Sequence, residues 1–186
     1  MDQANGDQLR RLADHAEIER LLALYCRAVD RLDMALLRSL FAPDARVQLG
    51  AFHDGGVEGF VPVVEGFMGS MERTQHSLSN VLIDLDGDEA ASEAHVFAHH
   101  VERLDEGTED GPYELIVGAR YLTRYARTGA GWRIAHHAEV MDWGTRRPMG
   151  GWFAASQDMP KGQRGSNDPS YGYLRRAAPG GPTVGG

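Results

Sequence analysis

The sequence of 186 residues has one cysteine, Cys26, which excludes an internal disulfide and a zinc site built on several cysteine ligands. Basic residues are also scarce. Nineteen Lys and Arg stand against 27 Asp and Glu, and the net charge of −8 is the opposite of what nucleic-acid-binding proteins carry. No apolar run approaches the roughly 18 residues of a membrane-spanning helix. The opening residues lack the apolar stretch of a signal peptide, so we expect a cytoplasmic protein without nucleic-acid or membrane partners.

The composition, with 42% hydrophobic and 25% charged residues, is typical of a globular protein that buries a core. We predict a polar leader at residues 1–13, one domain at 14–143 and a tail at 144–186. The tail contains ten Gly and five Pro and has a net charge of +4, yet it keeps several aromatic residues. Because disordered segments are usually poor in aromatic residues, we expect the tail to pack on the acidic body or on a neighbouring subunit.

Apolar residues at three- and four-residue steps predict a long amphipathic helix that begins at Asp14, which we assign as its N-cap. Turn residues and alternating patterns then predict helices at 34–41 and 59–71, a loop around Gly55 and Gly56, and an acidic loop at 105–112. The predicted strands are 45–49, 75–85, 89–104, 113–127 and 132–143. This order indicates an α+β fold with helices packed on one face of a curved, mostly antiparallel sheet.

Four stretches of the sequence, IERLLALYCRAVDRLD, LRSLFAPDARVQL, RTQHSLSN and GWRIAHHAEVMDW, resemble the SnoaL-like branch of the NTF2-like superfamily. The resemblance covers roughly residues 14–143. It implies a cone in which a bent sheet wraps a long N-terminal helix and encloses a deep, largely apolar pocket. The pattern is similar to that of scytalone dehydratase, bile-acid 7α-dehydratase and γ-hexachlorocyclohexane dehydrochlorinase.

The same resemblance implies a set of catalytic residues. Asp30, at the end of the first helix, would pair with His76, which opens the strand after the third helix. Tyr25 matches a tyrosine of the dehydratases, and His99 or His100 matches a polar group on their next strand. We favour His99, because its separation from His76 matches that of the dehydratases.

The residues themselves leave alternatives open. The helix dipole disfavours an acid at the position of Asp30 by about 0.3–1 kcal/mol, which suggests a role, although a solvated acid is the alternative. Tyr25 lies about 140° around the helix from Asp30, so it is as well explained as a core residue as a catalytic donor. His76 shares one strand face with Leu78 and Asn80, a mixture of apolar and hydrogen-bonding groups that suits a pocket wall.

Two histidine pairs, His99-His100 and His136-His137, lie on predicted strands. Successive strand residues point to opposite faces, so each pair should send one imidazole into the pocket. We favour His99 and His137, the second of which stands where the dehydrochlorinase pattern has an arginine. The predicted substrate-binding residues are Asn80, Phe52, Phe67, Met71, Phe97, His137 and Met141.

A metal site is the alternative use of so many histidines, with His95, His99, His137 and Asp30 as ligands. No HExxH motif occurs, and we predict no metal. No glycine-rich phosphate loop occurs either, so we predict no cofactor.

A histidine oriented by a carboxylate in a dry pocket is a general base that needs no nucleophile. We therefore predict a cofactor-independent dehydratase or related lyase that acts on a small apolar cyclic molecule. An isomerase is one alternative, although Gln48 and Leu49 stand on the first strand, where ketosteroid isomerase has its catalytic acid. The other alternative is a non-catalytic ligand-binding protein or a subunit like the β subunit of ring-hydroxylating dioxygenases. We expect a homo-oligomer, with a trimer favoured over a dimer.

Overall fold

The computed structural model describes residues 3–103, 112–150 and 158–174, which form four α-helices and one six-stranded sheet. The helices are α1 (Gln3–Arg31), α2 (Met34–Ser39), α3 (Val57–Ser70) and α4 (Ser170–Tyr173). The strands are β1 (Phe41–Leu49), β2 (His53–Gly56), β3 (Met71–Asp86), β4 (Glu89–Glu102), β5 (Tyr113–Thr128) and β6 (Gly131–Pro148). In the described part of the chain no helix combines the length and the apolar character needed to cross a membrane.

Helix α1 begins at Gln3, eleven residues before the predicted start. Residues 3–13 are all exposed, so the described part of the polar leader is the solvent-facing beginning of α1. Asp14 is not an N-cap. Its carboxylate is buried and accepts hydrogen bonds from the Trp132 indole at 3.0 Å and from Arg127 at 2.7 Å. Burial acts to raise the pKa of Asp14, but these hydrogen bonds outweigh it and lower the pKa.

The sheet has the strand order β2-β1-β6-β5-β4-β3, and every neighbouring pair is antiparallel except β1 with β6. Strand β2 replaces the loop predicted around Gly55 and Gly56. It lacks the apolar alternation of a strand and is held by pairing with β1, from Leu49 opposite His53 to Arg46 opposite Gly56. Local sequence could not show this pairing, because the β1 backbone stabilises β2.

The long strands β3 to β6 carry register shifts, which bend a sheet. One shift falls between Ser79 and Leu82 of β3, where Asn80 adopts a φ of 48°. The helices α1 and α3 pack on the face of the sheet that bears the core. On β4 that face carries Ala94, Val96 and Ala98, all buried. The alternate residues of β4 therefore point to the outer face.

The predicted tail has two described parts. Strand β6 continues five residues beyond Trp143, and residues 158–174 lie against the C-terminal end of α1. We call residues 158–174 the strap. The tail aromatics Trp152 and Phe153 lie outside the described residues, as does the acidic loop predicted at 105–112 except for Pro112.

Candidate active site

The end of α1 places Asp30 beside β3. The helix closes with the Asp33 N–H donating to the Ala28 carbonyl at 2.9 Å, while Leu32 takes a left-handed φ of 54°. This closure is the Schellman pattern, with a leucine at a position that usually favours glycine. Asp30 stands just before this turn and is buried. The helix end therefore turns sharply away and leaves the Asp30 side chain against the strand.

Asp30 and His76 form a hydrogen-bonded pair. The His76 ring nitrogen Nδ1 lies 2.7 Å from Asp30 Oδ1, and the His76 backbone N–H donates to Asp30 Oδ2 at 3.0 Å. Both carboxylate oxygens are thus occupied by one residue, and the imidazole is fixed in position. Since the carboxylate accepts from Nδ1, the proton of a neutral His76 resides on Nδ1. Nε2, which has no hydrogen-bond partner among the described residues, carries the free lone pair.

A cavity of about 540 Å³ opens beside this pair. Its volume falls within the range of roughly 300–1,000 Å³ that is typical of small-molecule sites. The wall is apolar apart from three titratable side chains, those of His76, His100 and Glu139. The predicted substrate-binding residues Phe52, Phe67 and Met141 all line it. A more open groove of about 320 Å³ between α1 and β3 also reaches His76, but Arg27, Arg31 and Asp30 make its wall polar.

His100 is the imidazole of β4 that faces the cavity. Its ring is buried and lies 5.2 Å from the His76 ring in an edge-on arrangement. Burial, aided by the nearby His76, lowers the pKa of His100 to about 4, so the ring is neutral at pH 7. Its Nδ1 is buried without a hydrogen-bond partner among the described residues. This orphaned atom lies on a residue that lines the cavity, where a ligand can supply the missing partner.

Glu139, on β6, is the acid of the cavity wall. Burial raises the pKa of its carboxyl, and the nearby His76 only partly opposes this. Sequence reasoning did not select this residue. The signal that could have found it is the alternation of β6, since Glu139 stands two residues from His137 and from Met141, both predicted to line the pocket.

The structure does not place His99 in the cavity, where we predicted it. His99 points to the outer face, where its Nε2 lies 2.7 Å from Glu114. The expectation that one imidazole of the pair enters the pocket holds, but the residue is His100. The faces follow from the small aliphatic residues of β4, which are buried on the core side, whereas Phe97 lies on the outer face against Trp143, with 6.3 Å between the ring centroids.

Tyr25 and His137 belong to the aromatic core. Their ring centroids are 4.6 Å apart, and Tyr121 and Phe60 complete the cluster. Burial raises the pKa of Tyr25 and lowers that of His137 to about 3. His137 Nδ1 lies 3.0 Å from the Thr123 hydroxyl. Neither residue is among the described residues that line the cavity.

Three other predicted pocket residues also lie away from the cavity. Asn80 is exposed at the register shift of β3, Met71 is buried at the start of β3, and Phe97 is on the outer face. The alternation of β3 predicted that Asn80 and His76 share a face, but Asn80 lies within the register shift between Ser79 and Leu82, which breaks that alternation. The described residues contain no group of three metal-ligating side chains. In particular, His95 and His99 are on the outer face of β4, whereas His137 is in the core.

Comparison with known proteins identifies the family. A family model described as the SnoaL-like domain matches residues 10–138. An uncharacterized protein of Mycobacterium tuberculosis is 30% identical over 133 residues, which cover 69% of this chain and 86% of that protein.

Solved structures share the fold at low sequence identity. A hexachlorocyclohexane dehydrochlorinase from Novosphingobium barchaimii has a TM-score of 0.66 at 21% identity, covering 78% of this chain and 98% of that one. A candidate scytalone dehydratase from Novosphingobium aromaticivorans has a TM-score of 0.64 at 20% identity, covering 76% and 91%. An NTF2-like superfamily protein from Salmonella enterica has a TM-score of 0.62 at 21% identity, covering 70% and 92%. The chain thus has an NTF2-like fold and belongs to the SnoaL-like domain family.

Proposed function

We propose that the protein is a lyase that removes water from a small, mostly apolar cyclic molecule, with His76 as the general base. The observation that carries this proposal is the Asp30–His76 pair, whose histidine lines an apolar cavity. The fold neighbours that are a dehydrochlorinase and a candidate dehydratase support the reaction class.

His76 takes a proton from carbon through Nε2. Asp30 holds the tautomer in which this nitrogen is unprotonated, and its charge stabilises the imidazolium that forms. Proton transfer of this kind contributes typically about 10²–10⁴-fold to a rate, and orientation of the substrate in the cavity adds to it. The base therefore needs no further activation.

The other two polar groups of the cavity suit the departure of hydroxide. Burial raises the pKa of Glu139, which favours the protonated form, the form that can donate a proton to the leaving hydroxyl. Neutral His100 can donate a hydrogen bond to a carbonyl that activates the C–H bond. As the C–H proton passes to His76 and the C–O bond breaks, a carbon–carbon double bond and water form. A chloride leaving group would not need this proton, so Glu139 favours a dehydratase over a dehydrochlorinase.

The residues that line the cavity indicate the class of substrate. An apolar lining with few polar groups selects a compact ring system, and the reaction requires a hydroxyl β to a carbonyl. The test is a screen of cyclic β-hydroxy ketones in which the conjugated enone product is followed by its ultraviolet absorbance. We expect turnover by the wild type and none above background by His76→Gln. Exchange of α-protons in D₂O without elimination would favour an isomerase, and binding without either reaction would favour a non-catalytic ligand-binding protein.

The adjacent histidines of β4 provide a matched pair of variants. We expect His100→Gln to lower kcat/KM by about 10²-fold, because it alters a hydrogen-bond donor in the cavity. His99→Gln should change kcat/KM less than about twofold, because Glu114 keeps its ion pair with Arg147 at 2.7 Å. Steady-state kinetics on the same substrate measure both values. Equal losses in the two variants would contradict the assignment of His100 to the site.

A further inference from the structure

The guanidinium of Arg164, in the strap, lies where α1, α3 and β3 meet. Its Nη1 donates to the Asp30 carbonyl at 2.6 Å and to the Thr74 hydroxyl at 2.9 Å. Its Nη2 donates to the carbonyls of Met68 at 3.1 Å and Met71 at 3.3 Å. One side chain thus joins three elements through four acceptors.

These acceptors explain why the cation is an arginine. Asp30 and Met68 lie in the last turns of α1 and α3, where carbonyls lack the i+4 N–H partner of a regular helix and the helix dipole favours a positive charge. Only the planar fork of a guanidinium offers enough N–H groups in fixed directions to serve both helix ends and the strand. The Arg164 contacts therefore fix the place of α1 relative to β3.

The same contacts bear on the proposed active site. The carbonyl that Arg164 holds belongs to Asp30 itself, whose side chain orients His76. Thr74, the partner on β3, stands two residues before His76 on the same face of the strand. Arg164 is thus bonded to one member of the pair through its backbone and to a residue two positions from the other.

The strap is anchored independently of Arg164. The buried Asp168, which accepts the Gln163 N–H within the strap at 2.9 Å, forms an ion pair with Arg31 of α1 at 3.1 Å. The Tyr171 hydroxyl donates to Asp33 at 2.7 Å. The strap lies outside residues 10–138, which match the family model. The likeness to the SnoaL-like family therefore does not account for this contact.

We propose that Arg164 is a positioning residue, which holds Asp30 and His76 at hydrogen-bonding distance by joining the end of α1 to β3. Its effect on catalysis rests on the proposed function, whereas its effect on the geometry of the pair does not. Without Arg164 the helix end and the strand can separate, and the Nδ1–H of His76 exchanges faster with water.

The test compares Arg164→Gln and Arg164→Lys with the wild type in the full-length chain. The readout is the downfield proton resonance of His76 Nδ1–H in ¹H NMR, identified by its loss in His76→Gln. We expect its solvent-exchange rate to rise at least fivefold in Arg164→Gln and less in Arg164→Lys, which keeps the charge. Arg147→Gln, which removes an exposed arginine ion pair, is the control and should match the wild type.

A merely structural role would lower the melting temperature and leave this resonance unchanged. That result, in a variant with a native amide spectrum, would overturn the proposal. If Arg164→Gln does not fold, Thr74→Val, which removes one acceptor of Arg164 on β3, replaces it, and unchanged exchange in that variant overturns the proposal equally. With a substrate from the screen, we expect kcat of Arg164→Gln to fall about tenfold and KM to change less than twofold. If the wild type turns over nothing, the proposed function fails while the exchange result still stands.

Discussion

Replacing Asp30 with Asn is expected to lower kcat/KM for the proposed dehydration by about 10³–10⁴-fold while the protein stays folded. The reason is the tautomer of His76. The His76 backbone N–H donates to Asp30 Oδ2, and in the variant this bond would hold the carbonyl oxygen of the new amide at the same place. The amide NH₂ would then face Nδ1 and donate to it, so the ring proton would move to Nε2 and remove the lone pair that acts as base.

Kinetics and ¹⁵N NMR of the His76 ring check this prediction together. The expected spectrum shows Nδ1–H in the wild type and Nε2–H in Asp30→Asn. Asp84→Asn, which changes an exposed acid on the same strand, is the control and should leave both measurements unchanged. A rate within tenfold of the wild type, with the tautomer reversed, would show that His76 is not the base.

The second large effect is a loss of stability as the pH falls from 6.5 to 5. The folded-state pKa values of His137 and His100 are about 3 and about 4, below the ordinary value of 6.5, chiefly because both rings are buried. The unfolded chain therefore binds these protons first. The stabilisation is complete above pH 6.5 and is lost progressively as the pH falls toward the folded-state values. Over this interval each histidine should cost the folded state about 2 kcal/mol.

Other titrating groups also change the stability of the fold as the pH falls. The pKa values of Asp14 and Asp168 are lowered in the fold, since hydrogen bonds and nearby arginines outweigh their burial, so their stabilisation is lost only below about pH 4. The raised pKa of Glu139 acts in the opposite direction, because it favours the folded state at low pH. The two histidines therefore destabilise the folded state as the pH falls from 6.5 to 5, and Glu139 offsets part of their effect.

Urea unfolding at several pH values measures this dependence. His137→Gln should reduce the slope of unfolding free energy against pH by at least half, because it removes one of the two histidines while the opposing effect of Glu139 remains. Tyr121→Phe is the control, since Tyr121 packs 4.8 Å from His137 but has no group that titrates in this range. A slope unchanged by His137→Gln would contradict the assignment of the effect to this ring.

Part of this architecture is determined by the sequence itself. Helical periodicity predicted the body of α1, and alternation with turn residues predicted the long strands, because these patterns reflect which face each element must bury. The pairing of Asp30 with His76 followed from motifs that share their spacing with a known family. Strand alternation also required one imidazole of the pair His99-His100 to enter the pocket.

Only the tertiary structure decided which histidine of the pair His99-His100 enters the pocket. The face of β4 that becomes the inside depends on which side of the sheet the core covers, and both faces of that strand contain histidines and apolar residues. Glu139 became significant for the same reason, since burial beside His76 is a property of the assembled cavity. Tyr25 joined the core because the wall of the cavity does not wrap around α1. The contacts of Arg164 join residues up to 134 positions apart in the chain, and no local pattern encodes a distance of that kind.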